Sequence, residues 1–435
     1  ADQKKEFYVA DDNGVTPLYI AAHQGHVDVI KELLEGLETP EERKDYLHMA
    51  YNGSTPLHVA ANEGHVDVIN VLLANLTPAE QKEYLNMVAN GGFTPLYTAA
   101  QKGHVEVIKE LLEKLETPEE RKAYLHMADN NGWTPVNTAA QKGHVEVIKE
   151  LLQGLSAKER KAYLHMASNN GVTPLYIAAQ NGHVEVIKEL LEKLETPEER
   201  KAYLHKADNN GDTPLHFAAQ NGHVDVIKEL LQGLTQDQLI TYLHMADENE
   251  RTPLQLAAHQ GQVEVIKELL KGLSPEERKA YLHKANNDGV TPLYIAALNG
   301  EVEVINELLE GLSDEDRLTY LHRANKNGAT PLYIAAQNGH VDVINVLLAN
   351  LTPAEQKEYL NMVANGGFTP LYIAALNGEV EVINELLEGL SDEDRLTYLH
   401  RANKNGATPL YIAAQNGHVD VINVLLANLT PAEQK

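Results

Sequence analysis

A Thr-Pro dipeptide followed by Leu, once by Val, recurs at Thr16, Thr55, Thr94, Thr134, Thr173, Thr213, Thr252, Thr291, Thr330, Thr369 and Thr408, always 39 or 40 residues from the last. A fixed period of this length marks one small unit stacked many times, because such a unit cannot bury its apolar face alone. Neighbouring units then share a core that grows along one axis, so the expected product is an elongated solenoid. A chain of 435 residues would otherwise suggest two or three globular domains, and the repeat overrides that expectation. Residues 1–435 read as a single all-α solenoid of about eleven stacked helical repeats, with 1–15 a partial repeat.

Residues 13–50 show what one unit contains. Asn13-Gly14 is a tight-turn signal, since both residues tolerate positive φ. Thr16 is placed to cap a helix with Pro17 at its first position, where a missing N–H costs nothing. Leu18, Ala21 and Ala22 form its inward stripe, and Gly25 ends it. A second helix is expected from about His26 to Leu34, with Val27, Ile30, Leu34 and Leu37 inward, Val29 and Leu33 widening the stripe, and Lys31 paired with Glu35 outside. Thr39-Pro40-Glu41-Glu42 opens a third, short helix through a capping box, with Tyr46, Leu47 and Ala50 inward.

The string G-x-T-P-L-x-x-A-A-x-x-G-H-V-x-V-I-x-x-L-L resembles the ankyrin repeat, and it recurs over essentially the whole chain. The resemblance implies helical repeats joined by short turn or β-hairpin fingers. Two departures stand out. The family period is 33, and the segment after the second helix is here about six residues longer, which makes room for the third helix. The family's usual His after T-P-L survives only at His58 and His216, while Tyr holds that place at Tyr19, Tyr97, Tyr176, Tyr294, Tyr333, Tyr372 and Tyr411.

Composition narrows the function classes. A formal charge of −27 makes nucleic acid a poor partner, because phosphate binding needs clustered Lys and Arg. No apolar run approaches the ~20 residues of a membrane helix, no signal-peptide core is present, and without cysteine there is neither disulfide nor thiol chemistry. A reducing compartment fits, hence a cytoplasmic expectation, as does deliberate engineering. The Asn-x-Ser/Thr triplets at Asn52, Asn75, Asn350 and Asn428 read as chance matches. Histidines recur at His26, His65, His104, His144, His183, His223, His340 and His418, spaced too far apart to share a metal ion. In the resembled family this residue ties adjacent turns together, and the second set (His48, His126, His165 and His205) is read as structural too. No phosphate-loop, zinc-protease, nucleophile-elbow or calcium-loop pattern occurs, so no catalytic residue, metal or cofactor is expected.

Residues 291–357 are identical to 369–435, and 64–97 recur as 339–372. Drift at exposed sites would be tolerated, so identity there means recent copying or reuse of modules by design. Ala1-Asp2-Gln3-Lys4 matches the register of Ala432-Glu433-Gln434-Lys435, and neither end carries a polarised capping repeat. Either the chain is excised from a longer one, or its ends associate head to tail.

Function is then sought where the copies differ. Variation concentrates in residues 50–255, against near-uniform repeats over 291–435. By resemblance, the finger tips and first helices line a concave face that grips another protein. Candidate contacts are Phe93, Trp133, Asn137, Gln141, Lys142, Val172, Asp212 and Arg251, with Phe93 and Trp133 as an aromatic anchor. The alternative for Trp133 is packing against its neighbouring finger. The leading reading is a non-enzymatic interaction scaffold of the kind intracellular bacteria use on their hosts, which would place it in host cytoplasm. The competing reading is an engineered or self-associating solenoid without a dedicated ligand.

Overall fold

The computed structural model describes residues 9–74, 76–349 and 351–429. Asn75, Asn350 and the matching termini 1–4 and 432–435 lie outside the described residues. Among those described, 32 α-helices follow one another, and the only β structure is a pair of isolated bridges, Tyr51 with Ser54 and Ala364 with Phe368. The chain divides into two compact units, Ala1–Pro214 and Leu215–Lys435. We number the repeats 1 to 11 by their Thr-Pro starts; unit one holds repeats 1–5 and unit two the helices of repeats 6–11.

Each first helix begins and ends by local chemistry. In repeat 1 it spans Pro17–Gln24, with the Thr16 hydroxyl accepting from the Tyr19 N–H at 3.1 Å. Gly25 closes it at φ +74°, its N–H reaching back to the Ala21 and Ala22 carbonyls. Positive φ is one reason for glycine here. Space is the other: a Cβ on the equivalent Gly64 would sit 2.8 Å from His104 Nδ1 of the next repeat.

The second helix spans Val27–Glu35, starting one residue later than expected because His26 occupies the N-cap. In inner repeats its apolar girth is fully used: Val68, Ile69, Leu72 and Leu73 are all at most 1% exposed. The expected Lys31–Glu35 pair does not form. Lys31 reaches back to Asp28 at 3.5 Å, and Lys109–Glu106, Lys149–Glu146, Lys188–Glu185 and Lys267–Glu264 repeat that geometry at 2.6 Å. Helical side chains lean toward the N-terminus, so the partner one turn back is the one within reach.

The added third helix spans Pro40–His48 in repeat 1 and starts from the expected capping box of Thr39 and Glu42. Its tyrosine defines what it is for. Seven of these hydroxyls (Tyr46, Tyr84, Tyr124, Tyr203, Tyr320, Tyr359 and Tyr398) accept the N–H of the Leu at the second position of their own repeat's first helix, at 3.0–3.3 Å. That N–H is one of the donors every helix start leaves orphaned. Burial pushes the phenols of Tyr84, Tyr124, Tyr203, Tyr320, Tyr359 and Tyr398 above the ordinary tyrosine range. Arginine serves the opposite helix end. Arg121 donates to the Glu150 and Gln153 carbonyls at 3.3 and 2.7 Å, and Arg278 to those of Glu307 and Glu310 at 3.0 and 2.9 Å, clamping the end of the next repeat's second helix.

Candidate protein-binding face

The fingers between repeats are held by backbone hydrogen bonds. Within the finger of repeat 4, the Asp129 N–H donates to the Trp133 carbonyl at 2.9 Å, and Asp129 Oδ1 accepts from the N–H groups of Asn131 and Trp133. One further bond ties each finger to the one before it: Asn130 N–H to Gly91 O at 2.9 Å, Asn169 to Asn131 at 2.9 Å, and Asn209 to Asn170 at 3.0 Å. Finger tips in unit one are thus set in register by main-chain geometry, independent of which side chains they carry.

Side chains add a second tie. At the position after T-P-L, Asn137 is fully buried, Oδ1 accepting from the Thr134 N–H at 3.2 Å and hydroxyl at 2.5 Å while Nδ2 donates to the Val172 carbonyl at 3.2 Å. Gln255 does the same between Thr252 and the Val290 carbonyl, at 2.8 and 2.7 Å. His58 also does so, Nδ1 accepting from the Thr55 N–H at 3.2 Å and Nε2 meeting the Phe93 carbonyl at 2.9 Å. Where tyrosine stands there instead, its hydroxyl meets a side chain at the base of the next finger: Tyr176 to Asp208 at 2.9 Å, Tyr97 to Asp129 at 3.4 Å, and Asn325 to Tyr294 at 3.2 Å.

This geometry sorts the candidate residues. Asn137, expected to face a partner, is instead a buried cap and finger tie, because one side chain there must both accept and donate. Asp212 is 6% exposed and sits in the field of the Tyr176 hydroxyl, so it too lies within the scaffold. Arg251, in unit two, turns its guanidinium onto Asp247 of its own finger at 2.6 Å. Val172 is half-buried, and its carbonyl receives Asn137. Gln141 is half-buried, with its carbonyl accepting from His183 at 2.9 Å, whereas Lys142 is exposed at the helix end. Phe93 and Trp133 are both half-buried at their finger tips. The Phe93 ring rests on Tyr97 at 4.9 Å, and among the described residues no ring pair joins it to Trp133. We expect Asn137→Ala to cost about 1–3 kcal/mol by orphaning the Thr134 and Val172 groups, read as a lower urea midpoint.

Both histidine sets are structural, by different physics. The first set bonds the first-helix end of the preceding repeat, His65 to the His23 carbonyl at 3.1 Å and His104 to that of Asn62 at 2.9 Å. The second set stacks on the next repeat's buried tyrosine, His48 on Tyr84 at 5.2 Å and His126 on Tyr163 at 5.3 Å. Among the described residues, no three metal-ligating side chains converge, and no helix is long and apolar enough to cross a membrane.

A family model described as ankyrin repeats (3 copies) matches in ten overlapping windows that run from residues 3–82 to 356–434. No curated protein matches the chain significantly. With the repeat signature, the three-helix unit and the finger ties all in place, the chain belongs to the ankyrin-repeat family, whose members generally bind other proteins and are typically not enzymes.

Proposed function

We propose that this chain is a non-enzymatic scaffold that binds another protein on the finger and first-helix face of unit one. The observation that supports it is the presence of two half-buried aromatic tips, Phe93 and Trp133, on successive fingers locked in register. A rigid display of this kind saves the partner the cost of ordering the site, and aromatic side chains dominate interface hot spots. Lys142 and Gln141 supply polar contacts at the helix ends, while Asn137 and Asp212 hold the scaffold. The reading places the chain in a cytoplasm, that of a host cell for a bacterially delivered protein.

Capture from eukaryotic lysate tests it. A partner held by the parent chain is expected to bind at least about a hundredfold more weakly to the Phe93→Ala, Trp133→Ala variant, at about 2 kcal/mol per hot-spot aromatic, with circular dichroism unchanged. Equal capture by both chains removes the anchor. The rival reading is an engineered or self-associating solenoid without a dedicated ligand, in which the identical copies 291–357 and 369–435 are reused modules. Its self-associating form predicts a light-scattering mass that climbs with concentration.

A further inference from the structure

The fifth residue of the Thr-Pro-Leu-x-x string is Ile in six repeats (Ile20, Ile177, Ile295, Ile334, Ile373 and Ile412), Phe217 and Leu256 in repeats 6 and 7, and shorter at Val59, Thr98 and Thr138 in repeats 2, 3 and 4. Beside Val59 and Thr98 the first helices of repeats 1–3 border a cavity of about 220 Å³ open to solvent, walled by Tyr19, His23, Ser54, Asn62 and Glu63 over a floor that includes His58. That volume lies below the roughly 300–1,000 Å³ of sites for drug-sized molecules and suits one long side chain.

The lining has the chemistry of a cation site. Its one carboxylate is Glu63, 36% exposed, whose Oε1 takes the Asn62 amide at 2.6 Å and lies 3.8 Å from His23 Nε2. Both contacts use the same oxygen, so Oε2 keeps its acceptor capacity. Thr98 gives its hydroxyl hydrogen to the Pro95 carbonyl at 2.9 Å, leaving lone pairs only for the cavity. His58 has both ring nitrogens engaged, by Thr55 and by the Phe93 carbonyl, and burial holds it neutral, so it does not repel a cation. The Tyr19 ring, braced edge-on by Tyr51 at 5.7 Å, forms an aromatic wall. Around this sits a chain of net charge −27, whose field favours approach of a cation.

We propose that this cavity receives an arginine side chain from the bound partner. A guanidinium is planar, stacks on aromatic rings and carries five donors, which matches a tyrosine wall facing a carboxylate and a hydroxyl acceptor; a lysine ammonium offers one compact charge and no plane. The proposal rests on the reading of this face as protein-binding and gives the partner its chemistry: an extended segment with an arginine at repeats 1–3 and apolar residues toward Phe93 and Trp133.

The test uses the whole chain with no partner. N-acetyl-arginine-N-methylamide is titrated to tens of millimolar, the range in which a single side chain binds measurably, and amide shifts are followed by NMR. The isosteric citrulline compound is the neutral control. Saturable shifts confined to Ser54, Asn62, Glu63 and Thr98 are expected, at least about tenfold weaker with citrulline and in Glu63→Gln, where the charge that a guanidinium pairs with is gone. Thr98→Ile, which fills the cavity with the residue most other repeats carry, is expected to abolish them. Absence of saturable shifts, or equal affinity for citrulline, overturns the proposal. Because the probe needs no partner, the outcome is separate from the Phe93, Trp133 capture experiment: either can fail while the other stands.

Discussion

Replacing Tyr124 with alanine is expected to cost about 3–5 kcal/mol, the range for truncating a large buried aromatic. Tyr124 is 1% exposed, and its hydroxyl is the acceptor for the Leu96 N–H at 3.3 Å. Truncation therefore leaves both a cavity and an orphaned helix-start donor. Tyr124→Phe separates the two terms: the ring stays, the donor is orphaned, and the cost falls to about 1–3 kcal/mol. In a stacked array each repeat is stabilised mainly by its neighbours, so the damage spreads from repeat 3 before it reaches distant ones. Hydrogen exchange read by mass spectrometry should show Pro95–Lys102 and Pro118–Leu125 losing protection first. Uniform loss along unit one, or no loss in the first helix, would show that the third helix is decoration rather than the brace we describe. Under the proposed function the loss would reach the binding face, because that first helix follows the finger carrying Phe93.

This brace was only half legible in the sequence. Thr-Pro starts, glycine stops and the capping boxes are local signals, written in residues three or four apart, and they place the helices within a residue. Tyr46 and its equivalents could be read as inward-facing from periodicity. Their hydroxyl partner lies 27 or 28 residues upstream, and no local pattern points to it. Asn137 misled for a related reason. It departs from tyrosine, and departure suggested a surface under selection for a partner. The usable signal was chemical: the residues that replace tyrosine at this place are His58, Asn137, His216 and Gln255, each able to accept and donate at once. Arg251 was legible in part, since Asp247 stands four residues before it in the same finger. The cavity beside Glu63 was not, because it arises from methyl groups missing on two first helices and lined by a third.

Mild acid should loosen this chain well before its carboxylates titrate. His58 is 1% exposed, and burial pulls its pKa from 6.5 down to about 4. The sign follows from linkage: between those values the unfolded chain takes up a proton that the folded one refuses, so stability is full above pH 6.5 and falls until about pH 4. That shift corresponds to about 3 kcal/mol for this residue. The chemistry agrees, because protonation would place a hydrogen on the nitrogen that accepts from Thr55. Burial also lowers His48, His126, His144, His165, His205, His244, His283 and His322, which add the same sign with smaller weight, being only partly buried. Glu307 and Glu385 oppose the trend, since burial raises them and acid relieves that cost. Carboxylates such as Glu80, Glu120 and Asp316 are lowered by their hydrogen bonds, so their contribution is full above their ordinary values of 4.5 and 3.8 and is lost only as the pH falls further, at and below the acid end of the histidine window. Urea midpoints at pH 7.5, 5.5 and 4.5 should fall monotonically. His58→Gln isolates the main term, because Gln255 already makes the same two ties in repeat 7 without a titrating group. We expect that variant to flatten the profile between pH 6.5 and 4; a profile parallel to the parent's would assign the acid sensitivity elsewhere. The bond from Nε2 to the Phe93 carbonyl survives that proton, so the loosening starts at the Thr55 cap of the repeat-2 first helix and not at the Phe93 finger.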